Sequence, residues 1–343
     1  MRALVYDRIG EAPRVIDAAT PVCPADGVII EVRATGVCRS DYHAWVGHDP
    51  VALPHVGGHE LAGLIIETGP EVARWSAGDR VTTPFVCGCG HCDLCRGGDP
   101  QVCPDQTQPG FTGWGSFAER VAIHAADFNL IRLPDDLEFT TAAALGCRFG
   151  TAYRAVTGHT KINSGEPMAV YGAGGAGLSA IMIGAALGYR VIAVDISSDA
   201  LNLATEFGAE TSIRADLDDP AQVIIEQTGG VPLSLDCAGT AATAVQSVRS
   251  LRRRGHHVQV GLLFGAAATP PIPMDRVIAW ELSVHGSHGI AAAHYPGLLE
   301  LVTSGRVRPD RLVTEITDLE GAGRALEAMS GPNAPAGITV AIP

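Results

Sequence analysis

The stretch "MAVYGAGGAGLSAIMIGAALG" constrains this chain most. A buried strand runs into Gly172, Gly174 and Gly177, spaced G-x-G-x-x-G, and a helix opens directly behind them. In such a turn the first glycine makes the bend and the second lets a pyrophosphate approach the backbone. The third lets helix pack on strand. Gly175 and Ala176 complete the loop whose free N–H groups face the phosphates. "RVIAVD" then reads as a second strand ending in Asp195, eighteen residues after Gly177, where a carboxylate would accept hydrogen bonds from ribose hydroxyls. The same charge would repel a 2′-phosphate, and "DISSDA" carries no arginine, so NAD is expected over NADP.

Around this turn strands and helices alternate. "SSDALNLATEFG" reads as a helix between serines and Gly208; "AQVIIEQTG", "PLSLDCAG", "AATAVQSVRSLRRRG" and "HHVQVGL" continue the pattern. Alternation of this kind predicts a parallel sheet covered on both faces. "FGAAATPPIP" reads as a loop. Upstream, "ALVYD", "VIIEVRATGV", "LAGLIIETG", "DRVTTPFV" and "FAERVAI" are short β-rich runs bounded by Gly, Pro and Asp, as in a compact antiparallel barrel-like domain. "TTAAALGCRFGTAYRAV" is helix-like, and the chain closes with helical "YPGLLELVTSG" and "LEGAGRALEAM" and a strand "GITVAIP".

Two domains fit 343 residues, and 46% hydrophobic residues provide their cores. A net charge of −13, without a Lys/Arg-rich tract, argues against nucleic-acid and anionic-membrane partners. No apolar run reaches ~18 residues and "MRALVYDRIG" lacks a signal-type apolar core, so a soluble, cytoplasmic protein is expected. A reducing compartment turns clustered cysteines from a disulfide framework towards metal binding.

Five of the nine cysteines fall in "CGCGHCDLCRGGDPQVC", residues 87–103. Cys89, Cys92, Cys95 and Cys103 are spaced C-x2-C-x2-C-x7-C. Four thiolates would fill a tetrahedral zinc and leave no room for a substrate, which makes the lobe structural. Cys87 is a fifth thiol that the set can slide to include. A nucleic-acid zinc knuckle would want basic neighbours, and Asp93 and Asp99 offset Arg96. Elsewhere "GVCRSDYHAW", "GGHELAG" and "LGCRFGTAY" supply Cys38, His59 and Cys147 with no local spacing between them; singly, each reads more readily as a buried cysteine or a satisfied core histidine than as a ligand.

"GVCRSDYHAW", "GGHE", the cysteine lobe, "LGC…TAY" and "GAGGAG…VD" occur in one order along the whole chain, which resembles the zinc-dependent medium-chain alcohol dehydrogenases. The resemblance implies a Rossmann-type domain over 150–287 and a mainly β, GroES-like catalytic domain over 1–149 and 288–343. It implies two zinc ions per chain, one catalytic on Cys38, His59 and Cys147 and one structural on the quartet. Asp41 would orient His59, and Glu60 would lie close to the metal and visit it during ligand exchange. Ser40 would hydrogen-bond the alcohol and His43 would end the proton relay. Arg39 would touch cofactor phosphate, Thr151 would lie near the nicotinamide, and Phe85 and Trp45 would wall the pocket. The implied reaction is reversible hydride transfer between a primary or secondary alcohol and NAD, giving aldehyde or ketone, in a homo-oligomer, dimer or tetramer.

Zinc fits such a role, since it can bring bound water from a pKa of ~15.7 to roughly 7 and would favour alkoxide from alcohol likewise. Polyol and thiol-adduct formaldehyde dehydrogenases share the fold; polyol enzymes tend to use a carboxylate as third ligand, against which Cys147 speaks. A catalytically silent NAD-binding relative would predict a broken trio, and all three residues are present. The chain departs from the family at Gly57-Gly58 before His59, at Cys87, at "GSHGIAAAHYP" and in lacking a basic residue near its end.

Overall fold

A computed structural model describes residues 1–331 and 337–343. The chain packs as two units: Met1–Gly150 with Gly289–Thr303 and Pro309–Pro343, and Thr151–His288 with Ser304–Arg308. Ser304–Arg308 thus group with the second unit, whereas the sequence places everything from 288 onward in the first.

The first unit is mostly β. Its strands are β1 (Arg2–Val5), β2 (Arg14–Asp17), β3 (Val28–Val37), β4 (Glu60–Thr68), β5 (Arg80–Thr82), β6 (Arg120–Ile123) and β7 (Ile131–Arg132), joined near the end of the chain by two more. The second unit holds β8 (Pro167–Tyr171), β9 (Arg190–Asp195), β10 (Ala209–Arg214), β11 (Val231–Asp236), β12 (Leu251–Gln259) and β13 (Ser283–Gly286); β14 (Val313–Thr317) and β15 (Ile338–Ala341) return to the first.

In the first unit, β1 and β2 form an antiparallel pair, and a seven-stranded sheet runs β14-β15-β3-β4-β5-β7 with β6 also on β3. Two register shifts against β4 bend β3, which pairs with β15 at one end and with β6 at the other. Val28, Ile30, Val32, Leu61, Ile65, Val81, Val121 and Ile123 fill one core. Leu4, Tyr6, Val37, Trp45, Val56, Phe117 and Leu326 fill another. Each large apolar side chain buried this way contributes roughly 1.5–3 kcal/mol.

In the second unit the six strands are all parallel, in the order β10-β9-β8-β11-β12-β13. With β8 as the first, this is the 3-2-1-4-5-6 order of a doubly wound dinucleotide fold. The helix Gly175–Ala186 is buried from Gly177 through Gly184, because it packs on β8 and β9. Ser197 caps the helix Ser198–Glu206 by accepting from the Ala200 amide, and Gly208 at φ +106° follows it.

Two expected elements differ. The helix read through "AATAVQSVRSLRRRG" stops at Arg249, and Leu251 starts β12. The helix-like "TTAAALGCRFGTAYRAV" is three pieces: Phe139–Ala143, a π-helical turn Leu145–Phe149 and the helix Gly150–Thr157. The glycines at 146 and 150 interrupt a uniform α-helix, and the π turn re-aims Cys147. No helix among the described residues is long and apolar enough to cross a membrane.

Candidate active site and metal centres

Cys38, His59 and Cys147 come from three places in the first unit: the end of β3, the residue before β4 and the π turn. Their ligand atoms all lie within 4.8 Å of one another. Cys38 is the N-cap of the helix Arg39–Trp45, with extended φ and ψ that turn the chain out of the sheet.

Asp41, buried on that helix, ties the group together. One carboxylate oxygen accepts from the Cys38 amide at 2.9 Å; the other accepts from the Gly58 amide at 2.9 Å and meets His59 Nδ1 at 2.9 Å. His59 Nδ1 therefore carries a proton towards Asp41, which leaves Nε2 as the ring atom that could serve as a ligand. That Nε2 is fully buried without a hydrogen-bond partner, a costly state unless something coordinates it. Gly58 sits at φ +94°, and a Cβ there would meet the Phe117 amide at 2.6 Å; the Gly57-Gly58 departure thus suits the tight turn before His59.

Contact with Cys147 pulls the Cys38 thiol well below its ordinary value, and contact with Cys38 pushes Cys147 well above it. Two soft sulfurs and one imidazole suit zinc, and three protein ligands are the number a catalytic zinc would use.

Several neighbours carry no signal in the sequence. Tyr295, fully buried, donates to the carbonyls of Leu145 (3.1 Å) and Gly146 (3.3 Å), fixing the π turn that carries Cys147. Phe111 stands 5.0 Å from the His59 ring and Phe85 5.9 Å. Trp45, expected on a pocket wall, is instead a core residue: it packs among Leu4, Tyr6 and Phe117, and its indole donates to the Glu11 carbonyl at 2.7 Å. Glu60, expected close to the metal, follows His59 directly, acts electrostatically on Cys38 and Cys147, and is paired with Arg148. Arg148 brackets both its oxygens with Nε at 3.1 and 3.2 Å and Nη2 at 2.5 Å.

Ser40 lies 3.9 Å from Cys38 Sγ, one helical turn before His43. His43 Nδ1 meets His48 Nδ1 at 3.1 Å. Arg39 donates to the Met329 carbonyl and lies over the Tyr42 ring.

The quartet Cys89, Cys92, Cys95 and Cys103 also lies within 4.8 Å. Sulfur pairs at 4.0 Å (Cys89–Cys95) and 3.7 Å (Cys92–Cys103) match the edge of about 3.8 Å expected of a tetrahedron with zinc–sulfur bonds near 2.3 Å. Amides of Cys89, Cys92 and Cys95 donate to Cys103, Cys89 and Cys92 sulfurs at 3.4 Å each, as suits thiolates. Cys87 stands apart: it is buried against Thr83 at 3.3 Å, and burial pushes its thiol up to about 11. His91 and Asp105, both exposed, come within the same range of Cys89 alone.

In the second unit the glycine turn meets the geometric test. Gly172 has φ +91°, and a Cβ on Gly177 would lie 1.7 Å from the Gly172 carbonyl oxygen. A Cβ on Gly174 would meet nothing within 4 Å, so the middle of the turn is open to a ligand at a helix N-terminus. Asp195 accepts from the Ala173 amide at 2.6 Å and the Ser197 amide at 2.8 Å. Its partner across β9 and β10 is Arg214, which closes on Asp216; "DISSDA" alone gives no sign of it, because the cation comes from the neighbouring strand. Thr151 Oγ1 is buried without a hydrogen-bond partner among the described residues.

A mostly β unit with two cysteine-based groups that could hold a metal, and a parallel-sheet unit with a glycine turn of the dinucleotide type, have the features of a zinc-binding dehydrogenase. Residues 24–135 match the alcohol dehydrogenase GroES-like domain, and residues 175–304 match the zinc-binding dehydrogenase domain. The chain is 34% identical over 332 residues to an alcohol dehydrogenase of Geobacillus stearothermophilus, covering 96% of each. Among solved structures it is similar to the alcohol dehydrogenase TADH from Thermus sp. ATN1 (TM-score 0.91, 28% identity, 100% of this chain and 99% of that one). It is also similar to a zinc-binding dehydrogenase of Sinorhizobium meliloti 1021 bound to NADP (TM-score 0.88, 26% identity, 100% and 99%). The chain belongs to the zinc-dependent medium-chain dehydrogenase family.

Proposed function

We propose that this chain is an NAD-dependent alcohol dehydrogenase with a catalytic zinc on Cys38, His59 and Cys147 and a structural zinc on Cys89, Cys92, Cys95 and Cys103. The observation that carries the reading is the buried, unpartnered His59 Nε2, placed among two sulfurs with Asp41 on its other nitrogen. Held by Cys38, His59 and Cys147, zinc would supply Lewis acidity, and a bound nicotinamide cofactor would supply the hydride acceptor.

The chain's own residues do the rest. Asp41 holds the His59 tautomer and, through the Cys38 and Gly58 amides, the backbone on both sides of the site. Ser40 hydrogen-bonds the alcohol and receives its proton, and His43 takes the proton onward. Burial, with Arg39 and His48 adding to it, lowers His43 to about 4, so the ring is neutral at physiological pH and would hold the proton only in passing. Phe85 and Phe111 keep water from the imidazole face of the site. Glu60, locked to Arg148, supports the site's frame.

In the second unit the amides of Gly174, Gly175, Ala176 and Gly177 receive the pyrophosphate, Asp195 the ribose hydroxyls, and Thr151 the nicotinamide side. Arg39 is a further phosphate contact once it leaves the Met329 carbonyl. A homo-oligomeric state belongs to the same reading.

The test is the initial rate of reduced-cofactor formation across primary, secondary, aromatic and polyol alcohols, with NAD and NADP in parallel. Turnover on a group of alcohols with NAD supports the reading, and a preference for polyols moves it to the polyol branch. No turnover from protein carrying two zinc ions per chain overturns it. Cys38→Ser should lose one zinc and all turnover with the fold intact.

A further inference from the structure

The relay as implied by the family resemblance ends at His43, yet His43 is only half-exposed and its Nδ1 is directed at a second imidazole. Nδ1 of His43 and Nδ1 of His48 stand 3.1 Å apart, ring centroids 5.4 Å apart with planes tilted by 32°. His48 itself is exposed.

The contact is built by the backbone. The amides of His48 and Asp49 both donate to the His43 carbonyl, at 2.9 and 3.2 Å, folding the chain back over the end of the helix Arg39–Trp45. Gly47, between them, sits at φ +80°, and a Cβ there would lie 2.9 Å from Ile9 Cγ2. The helix end is pinned in turn: Gly10 N–H donates to the Trp45 carbonyl at 2.8 Å, and the Trp45 indole donates to the Glu11 carbonyl. His48 is therefore held against His43 by a tight turn wedged on the N-terminal loop.

We propose that His48 is the proton outlet of the site, a positioning and exchange residue that takes the proton from His43 and releases it to water. This rests on the alcohol dehydrogenase reading above, since alcohol oxidation releases one proton for each hydride transferred. In the step, a proton accepted by His43 makes its ring an imidazolium. The N–H bond at His43 Nδ1 breaks as one forms at His48 Nδ1, and His48 then loses its Nε2 proton to water. One proton enters and one leaves; both rings end neutral, and proton exchange with water at each ring, His48 exposed and His43 half-exposed, returns both to their starting tautomers. The charged groups acting on His43 are Arg39, on the same helix, and Cys38, with the Tyr42 ring edge-on at 5.8 Å. A cation at Arg39 and a neighbouring imidazole make it unfavourable for His43 to keep the proton, which favours passing it outward.

The test is His48→Gln, assayed in dilute, weakly transferring buffer and again with added imidazole. The expected result is a loss of kcat on the order of tenfold, below the 10²–10⁴ span of a direct acid–base group. KM and melting temperature should stay unchanged, and kcat should recover as imidazole rises, a rescue that a merely structural role would not show. Wild-type kcat in dilute buffer, or a loss that no imidazole restores, overturns the proposal and leaves the dehydrogenase reading standing. A wild type without alcohol-dependent cofactor reduction overturns both. Ring ¹⁵N NMR of the resting protein gives a readout apart from turnover: His43 and His48 Nδ1 must appear as a donor and acceptor pair, and two solvent-like signals overturn the proposal.

Discussion

Arg148 lays its guanidinium across both carboxylate oxygens of Glu60, its amide donates to the same carboxylate at 3.0 Å, and Nη2, which meets Glu60 Oε2, also donates to the Val37 carbonyl at 2.6 Å. Both side chains are buried, at 8% and 0% exposure. Gly36 leaves the space, for a Cβ there would sit 2.5 Å from Glu60 Oε2. One pair thus ties β3, the start of β4 and the turn of Cys147 together.

Breaking that pair strands a charge in the core. Arg148→Met should destabilise the fold by about 3–5 kcal/mol, the usual cost of an uncompensated buried carboxylate. Arg148→Met combined with Glu60→Leu should recover much of the loss, since no charge is then left behind. Melting temperatures of the two singles and the double measure the coupling; additive losses would show that the pair does not act as a unit.

The four-cysteine lobe has little apolar material of its own, with Leu94 and Val102 exposed. Its shape would then depend on the proposed structural zinc; such a metal contributes on the order of 10–16 kcal/mol in isolated zinc-finger peptides. Cys92→Ser should lower the melting temperature and remove one zinc per chain while the other remains bound. An unchanged melting curve with full zinc content would contradict the structural assignment.

What could be read in the sequence was what lies close along it. The glycine turn and the quartet each fall within one short stretch, so spacing alone grouped them. Cys38, His59 and Cys147 come from separate strands and a π turn, and only resemblance linked them. Tyr295 holds carbonyls 149 and 150 residues away, which no local pattern reports. Arg148 did leave a trace: a cation inside the apolar run "AAALGCRFGTAY" calls for a buried partner. Trp45 was misplaced because an aromatic near a ligand reads alike whether it faces a pocket or a core.

In the proposed reading, cofactor choice would turn on Asp195 and on Arg214 opposite it. Asp195 would repel a 2′-phosphate, and Asp216 keeps the Arg214 guanidinium occupied at 2.7 and 2.8 Å. Asp195→Gly with Asp216→Asn removes the repulsion and frees the cation. The ratio of kcat/KM for NADP over NAD should rise at least about tenfold, equivalent to roughly 1.4 kcal/mol. A ratio that stays put would show that neither residue reads the ribose.

The parallel sheet carries its own sensitivity to acid. His257 on β12 is 1% exposed and bonded through Nδ1 to Ser247 Oγ at 2.7 Å, inside a network with Ser234 and Ser250. Burial lowers its pKa to about 4, against an ordinary value near 6.5. The unfolded chain therefore binds a proton in a range where the folded chain does not, so the stability His257 provides is full above about 6.5. It falls as the pH drops towards 4, by roughly 1.4 kcal/mol for each pH unit. His257→Gln, which does not titrate, should flatten that part of the melting-temperature profile between pH 7 and 4.5, even though the loss of the imidazole lowers stability at pH 7. A mutant whose profile falls as steeply as that of the wild type would assign the acid sensitivity to other groups.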